Sequence, residues 1–188
     1  MPGLSKHEAA LQGLENGTQA VLGVSISGQQ VTPGTKIAKK ANQAPRHRVP
    51  KKDTQQAPTL SVPSSLAEGQ DSAYTVIAID IDAPFVSWNK LSPIMHWAQT
   101  DLKVQKGAQE LKSDEPALMP WLPAGPPPGA APHRYVFLLF AQRDGSSVPQ
   151  DLKGKTVGRM QRMRFDVDGY AEELGLGDIV AVNYFVSN

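Results

Sequence analysis

Apolar and polar residues alternate along much of this chain, and the period of the alternation marks its elements. Leu4, His7, Ala10, Leu11 and Leu14 recur at three- and four-residue intervals, which puts them on one face of a helix over 4–14. Asn16-Gly17 supplies its stop. From Val21 to Ser27, Val and Leu alternate with Gly and Ser, the two-residue period of a strand. Tyr74 to Asp82 predicts a strand ended by Ala83-Pro84, and Pro93 to Leu102 holds another around His96-Trp97. Arg134 to Gln142 is apolar at both parities, the pattern of a strand in mid-sheet with both faces covered, and Arg143-Asp144-Gly145 turns the chain after it. Val167, Tyr170, Ala171 and Leu174 return to helical spacing over 166–174. Asp166 or Asp168 can cap its start and Gly175 can stop it. Gly177-Asp178 leads into a last strand, Ile179 to Val186. No segment repeats another. Strands outnumber helices, so the fold expected is mostly β.

Composition narrows this picture. The 188 residues suit one domain, expected to span 1–188. Gly and Pro number 16 each, enough for frequent turns between short strands. Lys and Arg total 19 against 18 Asp and Glu, and a net charge of +1 makes no field that gathers nucleic acid or acidic membrane. There is no cysteine, which excludes disulfides and thiolate chemistry. The first residues lack a long apolar run, so no secretory leader is expected, and the expected location is cytoplasmic. The apolar stretches Tyr135 to Ala141 and Ile179 to Val182 fall short of the roughly 20 residues of a membrane helix. Membrane contact is expected to be peripheral at most. Pro33 to Pro58 carries Lys36, Lys39, Lys40, Arg46, His47, Arg48, Lys51 and Lys52. It reads as a solvated basic loop, or as a surface for acidic lipid or a partner. It lacks the interleaved aromatics on which nucleic-acid bases stack.

Candidate chemistry gathers in three stretches. Asp80 and Asp82 have the same parity in their strand, so both are expected on one face, about 6.6 Å apart. Either alone can serve the amides of a turn, but two buried carboxylates are poor core filler. Gly125-Pro126-Pro127-Pro128-Gly129 is a stiff extended arm with a glycine bend at each end. It feeds into the mid-sheet strand, where His133 and Tyr135 share parity. The arm's prolines have no N–H, so donors to an anion must come from His96, His133, Tyr135 or the Gly125 and Gly129 amides. His96 sits in an apolar stretch, where a lone histidine is most often a satisfied core residue; its interest comes from its company. Trp97 reads as core. His7 and His47 are expected at the surface.

Asp80-Ile81-Asp82-Ala83-Pro84, His96-Trp97 and Gly125-Pro126-Pro127…Gly129…His133-Arg134-Tyr135 together resemble the three signatures of the phosphatidylethanolamine-binding proteins, also called Raf-kinase-inhibitor-like proteins. Order and spacing within each block agree. The resemblance covers about Leu60 to Val186, with a weaker echo over Val24 to Thr35, and the tail from Gly175 to Phe185 is similar to fungal members. It implies a central antiparallel sheet, a smaller second sheet and a few short helices. It also implies a small pocket for phosphate, acetate-like anions or a phospholipid headgroup. Carried over, its residues are Asp80, His96, Gly125, Pro126, His133 and Tyr135, with Asp82 as the second acid. Arg134, of opposite parity, is expected to pair with an acid behind the pocket. Ile81 replaces a proline usual between the two acids, and Ile94-Met95 replaces an expected aromatic, changes expected to make the pocket more apolar.

Two functions follow as expectations. In one, the chain binds a small anionic ligand with His96 and His133 charged, needs no cofactor, and regulates a kinase or serine protease as relatives do. Alanine at His133 is expected to abolish binding and leave the fold intact. In the other, the same pocket, with Asp80, His96 and His133 as an acid–base set, assists coupling or cyclisation of an anionic polyketide-type substrate, as in fungal secondary metabolism. A phosphatase of the strand-plus-DxD type is excluded, because Pro84 stands where its motif wants Thr or Val and no later magnesium-binding acids follow an α/β pattern. A metal on Asp80, Asp82, His96 and His133 is chemically possible but gains no support from the resemblance.

Overall fold

The computed structural model describes residues 5–37, 57–66, 72–106, 108–143 and 158–188. The middle of the basic segment, 38–56, with its His47, and the turn expected at Asp144-Gly145 lie outside the described residues. Helix α1 spans Ser5–Glu15, and strands β1 (Gly23–Ile26), β2 (Gln29–Val31), β3 (Thr35–Lys36) and β4 (Thr59–Ser61) follow. Next come β5 (Ala73–Asp80), β6 (Ile94–Val104), β7 (Glu110–Lys112), β8 (His133–Gln142), helix α2 (Val167–Glu173) and β9 (Leu176–Ser187). Short 3-10 turns at Ser64–Leu66 and Arg159–Arg162 punctuate the chain.

The strands form one ladder of nine in the order β2-β1-β4-β7-β6-β5-β8-β9-β3. Every pairing is antiparallel except β3 with β9. β8 lies between β5 and β9, as its two apolar faces require. Its even-numbered residues Val136, Leu138 and Phe140 join Ile77 and Ile79 under Ala10 and Leu14 of α1 and Val167, Tyr170 and Ala171 of α2. Its odd-numbered residues Tyr135, Phe137 and Leu139 join Val76, Ala78, Trp97, Trp121 and Phe185 in the other core. That core is closed by Leu22, Val24, Val31 and Leu60, from the β2-β1-β4 end of the ladder, which forms the smaller second layer. Leu22 N donates to Val182 O at 3.0 Å, so this end folds back over β9. The buried Asn183 side chain ties the layers, donating to Leu22 O at 2.7 Å and Val31 O at 2.9 Å.

Both helices follow from their sequence signals. Gly17 takes φ +71° after α1, the left-handed region that glycine enters freely. The Asp166 carboxylate accepts from Gly169 N at the start of α2, and Gly175 takes φ +63° after it. One expectation fails here. His7, expected at the surface, is buried at 2% exposure with no hydrogen-bond partner for Nδ1 among the described residues. Its helical spacing with Ala10 and Leu14 brings it against the sheet. Burial pushes its pKa down, with Glu8 and Asp168 opposing. The strand expected to end at Asp82 ends at Asp80, because Asp80 Oδ1 accepts from Asp82 N at 2.9 Å and turns the chain.

Candidate functional site

Three stretches converge at the end of β5 and the start of β8. Asp80 is the last residue of β5 and pairs with Tyr135 of β8 and Ile94 of β6. Its Oδ2 lies 2.8 Å from His133 Nδ1, and both side chains are buried. His133 Nε2 lies 3.1 Å from Pro84 O. Burial alone would lower the His133 pKa, but Asp80, by hydrogen bond and charge, and Asp82 outweigh it, so the pKa is raised. A protonated His133 donates at both nitrogens. The Tyr135 hydroxyl lies against the Asp80 carboxylate and the Gly125 backbone, and burial with the Asp80 charge holds it protonated.

His96 reaches this group by a route that strand parity hides. Ala78 pairs with Trp97 but Ile79 pairs with Met95, so β6 carries one extra residue, His96, at a β-bulge. His96 and Trp97, neighbours in sequence, therefore both meet Trp121, with ring centroids at 6.2 and 6.3 Å. The His96 ring stands edge-on to Tyr135 at 5.0 Å. Its Nδ1 lies 2.6 Å from Leu122 O, an acceptor, so Nδ1 carries a proton. Burial lowers the His96 pKa against the opposing pull of Leu122 O and Asp80. This histidine is neutral near pH 7 and leaves Nε2 a lone pair. Without a ligand the two imidazoles thus differ, the His133 pKa being raised and that of His96 lowered, whereas the charge expected on both belongs to the ligand-bound state.

The arm runs beside them with Pro126 buried and Gly125 and Gly129 exposed, Gly129 at φ +79°. Asp82 does not face the cup. Its carboxylate accepts Arg134 N at 2.9 Å, Nε at 2.8 Å and Nη2 at 2.7 Å. Asp82 is therefore the acid behind the pocket that Arg134 was expected to pair with. It acts on the cup at a distance, through its charge on His133 and Tyr135. Of the residues expected to make the cup more apolar, Ile81 and Met95 pack in the helix-side core instead, while Ile94 pairs with Asp80 in the sheet. Among the described residues no group of three or more His, Cys, Asp and Glu is arranged for a metal ion.

Arg162 was not singled out in the sequence. It is buried, and its guanidinium donates to the carbonyls of Met95, His96 and Pro120 at 3.0–3.3 Å. It clamps the bulge to the segment that supplies Leu122. Nothing in a run of exposed-looking basic residues distinguishes it beforehand. The 83–92 loop is closed at its base by Ser92 Oγ, which accepts from Ala83 N at 2.8 Å. Its Ala83-Pro84 and Ser92-Pro93 peptides are cis. Phe85, Val86 and Trp88 stand exposed on this loop.

A family model described as phosphatidylethanolamine-binding protein matches residues 27–185. Phomoidride biosynthesis cluster protein N of Talaromyces stipitatus is 33% identical over 119 residues, which cover 61% of this chain and 58% of that protein. Carboxypeptidase Y inhibitor of Saccharomyces cerevisiae is 32% identical over 130 residues, covering 61% of this chain and 59% of that protein. The chain thus spans less than two thirds of the length of these curated relatives. A solved carboxypeptidase Y inhibitor, in complex with its cognate proteinase, superposes with a TM-score of 0.69 at 22% identity, covering 100% of this chain and 99% of that one. A phosphatidylethanolamine-binding protein from Plasmodium vivax superposes with a TM-score of 0.62 at 17% identity, covering 90% and 87%. At these identities the two structures speak for the fold alone. By the span of the family match, this chain belongs to the phosphatidylethanolamine-binding protein family.

Proposed function

We propose that the chain is a ligand-responsive regulator that holds a small anion, phosphate or the phosphate of a lipid headgroup or phosphorylated segment, in the cup of Asp80, His96, Gly125, Pro126, His133 and Tyr135, and acts on a protein partner. The observation that carries this reading is the contact of buried His133 with Asp80 at 2.8 Å, with the His96 ring 5.0 Å from Tyr135 beside it. This is a preformed polar wall, which loses little entropy when a ligand arrives. His133 supplies the positive field, but its two N–H groups are committed to Asp80 and Pro84. His96 Nε2 supplies the adjustable donor. An anion beside it raises the pKa that burial lowers, so His96 takes up a proton as the ligand binds and donates a charge-assisted hydrogen bond. A protease is the partner class favoured, because one relative is named as an inhibitor of carboxypeptidase Y.

Calorimetric titration with inorganic phosphate and phosphoethanolamine, repeated in buffers of different ionisation enthalpy, tests the binding mechanism. The expected result is net proton uptake and an affinity that falls as pH rises above about 6.5. Affinity that stays flat from acid to alkaline pH removes it. A second reading is supported by the relative named from a biosynthesis cluster. There the neutral His96 and the Asp80–His133 couple serve as base and acid on an anionic polyketide-type substrate. Turnover of such substrates, lost on His96→Gln, would favour that reading.

A further inference from the structure

We propose that the face of the sheet opposite the cup carries a second ligand site, a cavity of about 590 Å³ between α1 and the 81–93 loop that takes a small apolar molecule bearing a carboxylate. The volume lies within the ordinary range for small-molecule sites. The cavity belongs to the other face because Ile81, which lines it, packs in the helix-side core, while Tyr135 belongs to the core beneath the cup. Leu11, Ile81 and Pro93 give it an apolar wall.

Its charges nearly balance, and one cation among them is placed to receive an anion. Lys90, Arg134 and Arg164 line it against Glu8 and Glu15. Arg134 is already balanced: Asp82 binds its Nε and Nη2, and Glu15 adds a second negative charge nearby. The Arg164 guanidinium has no hydrogen bond or ion pair among the described residues. Its backbone is held firmly, with N donating to Leu91 O at 2.9 Å and the next residue, Phe165, donating to Pro93 O at 2.9 Å. It is also held at φ +51°, a left-handed conformation unfavourable for arginine. A strained, anchored backbone that presents an uncommitted guanidinium to a cavity is an arrangement suited to ligand capture. The guanidinium's planar fork matches a carboxylate. His7 lines the same cavity, with its buried Nδ1 turned away from the open space.

Sodium octanoate is the probe, with octanol as its uncharged counterpart. Binding is followed by calorimetry and by the His7 imidazole resonances in NMR. Octanoate is expected to bind more tightly than octanol, to shift the His7 signals and to bind undiminished in saturating phosphate. Arg164→Asn, a residue that tolerates the left-handed backbone, is expected to weaken octanoate roughly tenfold or more without loss of fold. Leu11→Trp, which fills the apolar wall, is expected to block it. The proposal is overturned if octanoate fails to bind, if octanol binds equally well, if Arg164→Asn leaves affinity unchanged, or if phosphate competes.

Discussion

His133 shows how one residue's surroundings decide its charge and its contribution to stability. Asp80 raises its pKa above the unfolded value of about 6.5. The resulting stabilisation is fully present below about pH 6.5 and is lost as pH rises through the folded value. His96 acts with opposite sign. Its pKa is lowered, so the unfolded chain binds its proton first as pH falls through about 6.5, and stability is lost on the acid side. The variant His133→Gln should therefore destabilise the protein most at mildly acidic pH, by about 3–5 kcal/mol, and less in alkaline solution. Urea unfolding across that range measures it, and a pH-independent difference would argue against an ion pair with Asp80. The same pairing revises the expectation that alanine at His133 leaves the fold intact, since Asp80 would remain buried without its partner. Tyr135→Phe disturbs the cup less, since it keeps the ring and removes only the hydroxyl that meets Asp80 and Gly125. That variant should fold, with a loss of about 1–3 kcal/mol, and bind phosphate more weakly, as calorimetry would read.

At the scale of elements, the placement of side chains depends on how strands meet. The bulge at His96 turns one imidazole toward Tyr135, and Arg162 holds that irregular stretch by three carbonyls. Arg162→Lys offers a single point of donation in place of the fork, so the His96 pKa should move while the overall fold persists, visible in its NMR titration. Strand β1 depends on an absence of side chain. A methyl group at Gly23 would overlap Ser61 on β4. The variant Gly23→Ala is expected to destabilise by about 1–3 kcal/mol, with hydrogen-exchange protection lost first at the β1–β4 pairing. Uniform loss across the sheet would contradict a local clash.

For the whole molecule, the sheet has two different coverings. One face carries helices and the other carries the returned β2-β1-β4 end, so two cores are separated by a single layer. Asn183 joins that returned end to β9 through two carbonyls. Asn183→Leu leaves both carbonyls buried and unpaired, at about 1–3 kcal/mol each. Thermal unfolding should show a large drop in Tm, and a near-neutral effect would mean that water replaces the amide. The two-sided arrangement also gives the cup and the helix-side cavity separate walls, linked through the 81–93 loop and the Asp82–Arg134 pair.

Local period was enough to reveal the mid-sheet strand 134–142, the helix over 166–174, and the shared face of His133 and Tyr135. These depend on alternation within one strand or on a residue and its immediate neighbours, which chain order alone dictates. The other outcomes required contacts between distant stretches. Asp82 left the face of Asp80 because a turn and a guanidinium claimed its oxygens. His96 joined the cup because a bulge cancelled one step of alternation, His7 became buried because α1 docks on the sheet, and Arg162 gained its role only from three carbonyls it meets in space. Side-chain direction within a regular element is a local property, whereas breaks in regularity and partners for buried charge are settled where segments pack together.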